Sequence, residues 1–336
     1  MDFDHDGSVD IVAGIFDGSP HLARGTAKGF GLLEQITDPT GARIVLNMFW
    51  NFDQKHWDET KSYDVEGAVH GHLTSAVAYD WDRDQDLDLL LGDHATGRVY
   101  LRRNEGAPNK AAFGAKNLPV RLASGELLDV PGTVATLRLV DWDRDGRLDL
   151  LASGMGKALQ GGGGGGVYLF LDHGSDSGPA FAAPVALIAP GSNDGFHEAV
   201  RPDSGYYADA ADLDGDGDLD LVVGGYSHWQ PVPRALSAEE EQRVAVLRRE
   251  LAVLDAATSA YSKAASAAIA GMSGEEARKG AREFYEAHKE EMTTRAKETA
   301  TRRNELDRLV PGTQRKPFVW FYENLAVAKA IGRAHV

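Results

Sequence analysis

One acidic phrase of nine residues recurs four times along this chain, and few folds can accommodate it. It reads Asp2-Phe-Asp4-His-Asp6-Gly7-Ser8-Val-Asp10, then Asp80-Trp-Asp82-Arg-Asp84-Gln85-Asp86-Leu-Asp88. The third and fourth copies are Asp141-Trp-Asp143-Arg-Asp145-Gly146-Arg147-Leu-Asp149 and Asp212-Leu-Asp214-Gly-Asp216-Gly217-Asp218-Leu-Asp220. The shared form is D-x-D-x-D-G-x-x-D, followed by Ile or Leu. Carboxylates this close repel, and an ordinary acidic run stays solvated. Regular spacing instead lets positions 1, 3 and 5 wrap a hard cation. Position 7 (Ser8, Asp86, Arg147, Asp218) can supply a carbonyl, and Gly at position 6 permits the sharp turn. Oxygen-only ligands favour Ca²⁺ over zinc or copper, so up to four calcium ions are expected.

The EF-hand is the nearest alternative, and it needs a Glu at position 12 with helices on both sides. Position 12 here is Ala13, Leu91, Ala152 and Val223, all apolar. The flanks, such as Thr74–Asp80 before a loop and Leu87–Gly92 after it, are short β-type runs. The fourth carboxylate is therefore position 9 (Asp10, Asp88, Asp149, Asp220), and each loop joins two strands.

The loops hold 18 of the 51 Asp and Glu residues, against 35 Lys and Arg and a formal net charge of −16. Residues 237–310 carry a net charge of only −1, so the acidity belongs to the β-rich part. Four Ca²⁺ would bring the protein to −8, which predicts a chain that folds poorly without calcium and works where calcium is abundant. Extracellular, cell-surface or periplasmic placement is the expectation. Such acidity argues against nucleic acid as a partner. No run approaches the ~18 apolar residues of a membrane span. With no cysteine, disulfides, thiolate metal sites and thiol nucleophiles are excluded.

The loop starts are 78, 61 and 71 residues apart, close to the repeat of a four-stranded propeller blade with variable connections. Behind each middle loop come a Gly-bearing turn and an aromatic strand, Arg98–Asn104 and Val167–Asp172, then a Phe-containing strand, Phe113–Val120 and Phe181–Leu187. In the fourth unit the aromatic strand is Phe318–Asn324, displaced by a long insertion. The expected order is strand A, metal loop, strand B, turn, strand C, turn, strand D. These loops, the Gly after strand B and the Tyr-Leu-x-x-Asn/Asp-x-Gly strand resemble FG-GAP/VCBS repeats. The resemblance covers residues 1–235 and 315–325. It implies a mainly β, calcium-bearing β-propeller, as in the heads of integrin α subunits and many secreted bacterial proteins. About four blades are visible, and the ring need not be complete. That fold hosts adhesins, carbohydrate binders and lyases, so the resemblance fixes no function.

Two departures stand out. Gln85 replaces the turn glycine of loop two, at about 1 kcal/mol if left-handed. The first unit lacks a strand before its loop. Starting inside a metal loop reads as a truncated frame, and residues 331–336 as a non-native tail resembling a translated sequencing adapter.

The domain reading is propeller blades over 1–235, a helical insertion over 236–314 and the closing strand over 315–330. The insertion opens on a capping box, Ser237–Glu240. Val244, Leu247, Leu251, Leu254, Thr258 and Tyr261 follow coiled-coil-like 3-4 spacing. Gly271–Gly274 breaks it, and a second helix with a thinner seam (Tyr285, Met292, Leu306, Val310) runs to about Val310. An antiparallel hairpin is expected, either a packed decoration or an arm for a docking partner.

In an antiparallel A-B-C-D blade the A–B and C–D turns share one face; the B–C and D–A connections share the other. The metal loops define the first. His56, Trp57, His70, His72, His197, Tyr206 and Tyr207 fall in or at the end of D–A connections, while His94, His228 and Trp229 follow strand B. The face opposite calcium, with His70, His72, His94, His197, Arg201, Tyr206, His228 and Trp229, is therefore the candidate surface for a protein or carbohydrate ligand. No G-x-S-x-G, H-E-x-x-H or Walker A sequence appears. A calcium-stabilised extracellular binding, adhesion or scaffold module is the first reading. The alternatives are an extracellular polysaccharide lyase, using His197 and Tyr206 as proton carriers and Arg201 against a uronate, and a purely structural repeat segment.

Overall fold

The computed structural model describes residues 1–60, 71–107, 110–156, 165–175, 178–191, 195–272 and 274–325. His70, residues 161–164 of the glycine run and the C-terminal tail lie outside them. The chain divides into two compact units. The first comprises Met1–Gly195, Ala199–His228 and Arg315 onward; the second comprises Phe196–Glu198 and Trp229–Gln314.

Among the described residues the first unit contains six small antiparallel sheets. Strands β1 (Ile11–Gly14) and β2 (Pro20–Ala23) lead through a minor hairpin, β3 (Gly25–Thr26) and β4 (Gly29–Phe30), to β5 (Glu34–Gln35), giving a sheet in the order β1-β2-β5. A separate hairpin follows, β6 (Asn47–Asn51) with β7 (His56–Thr60). The second large sheet is β8 (Leu73–Tyr79), β9 (Asp88–Asp93), β10 (Val99–Arg102) and β11 (Leu118–Pro119). The third is β12 (Thr136–Val140), β13 (Asp149–Ser153), β14 (Val167–Phe170) and β15 (Val185–Ile188). The fourth is β16 (Ser204–Ala211), β17 (Asp220–Trp229) and β18 (Gln314–Tyr322). Loops two, three and four each join the first two strands of a sheet, and loop one enters β1 directly.

The expected D strands are shorter than the sequence implies. Phe113 makes a single bridge to Asn104 and Phe181 one to Asp172, and regular pairing resumes only at β11 and β15. Pro184, directly before β15, helps explain the late start of that strand, because proline cannot donate to a ladder, and Pro119 ends β11 after two residues. The β6–β7 hairpin, which places Trp50 opposite Trp57 with ring centroids 5.3 Å apart, occupies what was read as plain connection.

Three apolar cores fill the spaces between consecutive large sheets, and strand alternation distributes residues between them. Leu89, Leu91 and Tyr100 join Leu22, Ile36 and Leu73 between the first and second sheets. Leu90, Val99 and Leu101 point the other way and meet Leu150, Tyr168 and Phe170 of the third. Leu151, Val167 and Leu169 then meet Leu221, Val223 and Tyr322 of the fourth. The middle sheets are thus buried on both faces, which is why β9 and β13 read as unbroken apolar runs. Each fully buried Leu contributes roughly 1.5–3 kcal/mol relative to exposure.

Polar contacts also link the sheets. The Leu137 amide donates to Ser75 Oγ (3.1 Å), and the Ala208 amide donates to Ser153 Oγ (3.2 Å). Gly92, in β9, lies so close to the next sheet that a Cβ there would collide with the backbone carbonyl oxygen of Ala135.

In the second unit, α1 (Ala238–Ala268) and α2 (Gly274–Leu309) form the antiparallel pair. The capping box is present: Glu240 N donates to Ser237 Oγ (3.3 Å) and Ser237 N to Glu240 Oε2 (2.9 Å). The seam is more ionic than the heptad spacing implies. Arg243 holds Glu305 through two 2.6 Å bonds, Arg302 reaches Glu250 at 3.0 Å, and Arg295 donates to the Ala257 carbonyl at 3.0 Å. Tyr285, expected in the seam, is exposed; Phe284, one residue earlier, packs on Tyr261 with centroids 5.3 Å apart.

Gly92→Ala should destabilise the calcium-loaded protein by about 1–3 kcal/mol, because the added methyl meets backbone that cannot rotate away. Thermal unfolding of the two proteins in the same calcium buffer checks this; equal midpoints would show the sheets are not in contact there.

Candidate metal centres and the opposite face

All four loops adopt one conformation. Position 4 is left-handed in each (His5 φ 57°, Arg83 φ 62°, Arg144 φ 61°, Gly215 φ 78°), and so is position 6 (Gly7 φ 89°, Gln85 φ 77°, Gly146 φ 87°, Gly217 φ 96°). Two left-handed residues curl the backbone so that alternate side chains turn inward. Gln85 confirms the strain expected where glycine is missing. The left-handed position 4 carries no sequence signal in three of the loops.

The carboxylates are held by loop amides. Position 1 accepts from residues further along: Asp2 from Asp6 and Gly7 (3.1 and 2.9 Å), Asp80 from Gln85 (3.2 Å), Asp141 from Gly146 (3.2 Å), Asp212 from Gly215 (2.8 Å). Position 5 accepts from position 7 in every loop, at 2.7–3.0 Å. Position 9 is buried and uses both oxygens. One accepts from the amide of position 2 (Phe3, Trp81, Trp142, Leu213; 2.7–3.2 Å). The other accepts from a residue beyond the strand that follows the loop's second strand (Gly25, Asn104, Asp172, Asn324; 2.6–2.9 Å). Position 9 thus ties the loop to its sheet. Each carboxylate oxygen keeps a second lone pair, so a cation contact remains open to it.

In loops one to three, oxygens of positions 1, 3 and 5 lie within 4.8 Å of one another; in loop four the set is Asp212, Asp214 and Asp220. Several buried oxygens have no protein partner: Asp4 Oδ1, Asp80 Oδ1, Asp86 Oδ1, Asp141 Oδ1 and Asp218 Oδ1. Leaving a buried acceptor unmet is costly, and an all-oxygen group with orphaned lone pairs fits a hard cation such as Ca²⁺. Burial raises the carboxyls of Asp88 and Asp149 to about 6 despite their amide donors. Burial, with Asp84 and Asp88 nearby, does the same to Asp86.

Guanidinium groups offset some of this charge. Arg24 pairs with Asp4, Arg103 with Asp82, and Arg147 with Asp145. Arg147, expected to contribute only a carbonyl, thus also brings a cation to its loop. Among the described ion pairs none reaches loop four, and the residue that corresponds to Arg24 and Arg103 there is Glu323. Loop four thus carries five aspartates with no described ion pair, and the guanidinium acting on it is that of Arg144 from loop three, beside Gly217 and Asp218.

On the opposite face the structure brings some candidate residues together and separates others. His72 stacks between Phe49 (4.8 Å) and His94 (5.4 Å), and exposed Phe16 meets its edge. Burial, then His94, lowers the His72 pKa. His228 packs on Tyr226 at 5.1 Å. Arg201 contributes its carbonyl to Ser227 Oγ at 2.9 Å. Tyr206 is buried, its hydroxyl donates to the Pro202 carbonyl at 2.6 Å, and burial drives its pKa far up. His197 and Trp229 fall in the second unit, and Tyr206 in the first.

Residues 80–152, which span loops two and three, match the family model of the FG-GAP-like repeat. That stretch of the chain is an FG-GAP-like repeat. No curated protein matches the chain.

Gln85→Gly should stabilise the protein by about 1 kcal/mol by removing left-handed strain, read as a higher unfolding midpoint in urea. A second outcome concerns pH. Folded carboxyls near 6, against an ordinary 3.8, make the calcium-free folded state bind more protons than the unfolded chain between those values. The calcium-free protein should melt higher at pH 5 than at pH 7, and saturating calcium should reverse that order because protons displace the cation. Differential scanning calorimetry at the two pH values, with and without calcium, checks both directions.

Proposed function

We propose that the chain is a calcium-stabilised extracellular binding module of the β-propeller type. Its aspartate loops hold up to four Ca²⁺, and its opposite face takes a protein or glycan ligand. The observation that carries the calcium reading is the set of orphaned buried carboxylate oxygens within the aspartate loops. The residues that would hold the ions are Asp2, Asp4, Asp6 and Asp10; Asp80, Asp82, Asp84, Asp86 and Asp88; Asp141, Asp143, Asp145 and Asp149; and Asp212, Asp214, Asp216, Asp218 and Asp220. Carbonyls of position 7 complete each set. Bound calcium would neutralise carboxylates that otherwise oppose folding.

Propeller geometry is supported by the face-to-face stacking of the four large sheets, with β8 packed against β1 and β12, and β12 against β16. The blades occupy 1–235 and 315–330, and the helical hairpin 236–314 is an insertion in the last. Extracellular placement follows from the calcium demand and from the resemblance to FG-GAP-like repeats. No helix among the described residues is long and apolar enough to cross a membrane. The lyase reading loses its proposed proton pair, since the Tyr206 hydroxyl is committed to Pro202.

Removing calcium tests this reading. A ligand at 100 times its dissociation constant stabilises the folded state by about 2.7 kcal/mol per site, so millimolar calcium should raise the melting midpoint by well over 10 °C relative to chelator. An unchanged midpoint would sink the proposal. Asp214→Asn with Asp216→Asn should remove the tightest site from calcium titrations, and Asp143→Asn with Asp145→Asn a weaker one, because loop three carries its own guanidinium.

A further inference from the structure

A cleft of about 540 Å³ opens at the ends of β16, β17 and β18 remote from loop four. Gly205 and Tyr207 come from the start of β16, Gly224 and Tyr226 from the latter half of β17, and Arg315 from the start of β18. Val134, just before β12, closes one side.

Three features mark it as more than a surface dent. The Arg315 guanidinium lies 3.9 Å above the Tyr226 ring centroid, and no carboxylate among the described residues pairs with it. Stacking uses the guanidinium face, so its N–H edge stays available for a bidentate acceptor. Part of the floor is bare backbone: the nearest atom to a Cβ on Gly224 would be 3.8 Å away, whereas Gly205, at φ 61°, is covered by the Tyr226 ring, which leaves no room for a Cβ there. Glycine inside a strand weakens it and often marks close approach by a ligand. Finally, Thr133 and Val134 are both left-handed, at φ 61° and 52°. That is a rare conformation for β-branched residues, and strain of this sort gathers at functional sites.

From this geometry, and resting on the binding-module reading above, we propose that the cleft binds a uronate residue of an acidic glycan. A pyranose ring has an apolar C–H face that suits the exposed ring of Tyr207 (61% exposed), and a hydroxyl equator that suits bare strand backbone. The carboxylate meets the Arg315 edge. An acidic peptide would satisfy Arg315 as well, but the cleft offers only Val134 and Met155 as aliphatic anchors for side chains. Two acids lie two residues from the lining: Asp203 is buried, Asp209 is exposed and pairs with Arg138 at 3.4 Å, and neither lines the cleft.

The experiment uses the full chain in calcium buffer with three probes: galacturonate and glucuronate oligosaccharides, the matched neutral galactose and glucose oligosaccharides, and a poly-glutamate peptide. Isothermal titration should give submillimolar binding for a uronate oligosaccharide and at least tenfold weaker binding for its neutral match. Arg315→Ala should weaken uronate binding at least tenfold, and Arg315→Lys by a smaller factor. Tyr207→Ala should weaken binding of acidic and neutral sugars alike. Each variant should keep the calcium-dependent melting shift of the parent, which separates loss of ligand from loss of fold. Uronate binding unaffected by Arg315→Ala overturns the proposal, as does tighter binding of poly-glutamate. Absence of any uronate binding, with the calcium shift intact, overturns it while leaving the calcium module standing.

Discussion

Each repeat is closed by one buried aspartate that accepts on one oxygen from the second residue of its own loop and on the other from an amide remote in sequence. Asp10, Asp88, Asp149 and Asp220 are between 1% and 4% exposed, and each clamps its loop's second residue to the chain leaving the next strand. A charged acceptor with two amide donors is among the stronger buried arrangements available without a counter-ion. Every other feature of the loop is hung on it. The two left-handed residues, the inward turn of positions 1, 3 and 5, and the orphaned oxygens all follow once both ends of the loop are pinned to one sheet.

The loops were legible in sequence because their geometry is local. Side chains at spacing two and a glycine at position 6 are written within nine residues. The clamp was not legible in the same way, since position 9 reads as one more metal ligand. Its second donor lies 15, 16, 23 or 104 residues downstream, and only the fold brings them together. The sheet faces were also legible in outline, since aromatic strands such as Val167–Phe170 are strand-like by composition alone. Tyr206 reads as surface because it follows a connection, whereas alternation places most of its side chain inward, leaving it only a place in the lining of the cleft. The hairpin seam slipped by one residue, from Phe284 to Tyr285, because arginines fill positions where leucine would have fixed the register.

The two candidate surfaces lie at opposite ends of the same strands. Acidic loops crowd one end of each sheet, and the other end gathers histidines, tyrosines and Arg315, which stacks on Tyr226 and pairs with no carboxylate among the described residues. A strand pair such as β16 and β17 separates them by its whole length. Repulsion among the loop carboxylates therefore reaches the cleft only weakly, and in salt of physiological strength it is screened further. A cation-binding end and an anion-binding end can coexist on an acidic protein for this reason.

The helical insertion bears on how the last sheet forms. Strands β17 and β18 are neighbours in space but far apart along the chain. A slack connection of that length would impose a large entropy loss when its ends meet, and the pairing would be slow. The two antiparallel helices, the first opened by its capping box, are built from local contacts, and the Arg243–Glu305 pair holds the start of α1 beside the end of α2. With its two ends held side by side, the insertion shortens the effective loop between β17 and β18, which lowers the closure entropy to be offset when Phe318, Trp320 and Tyr322 join the sheet.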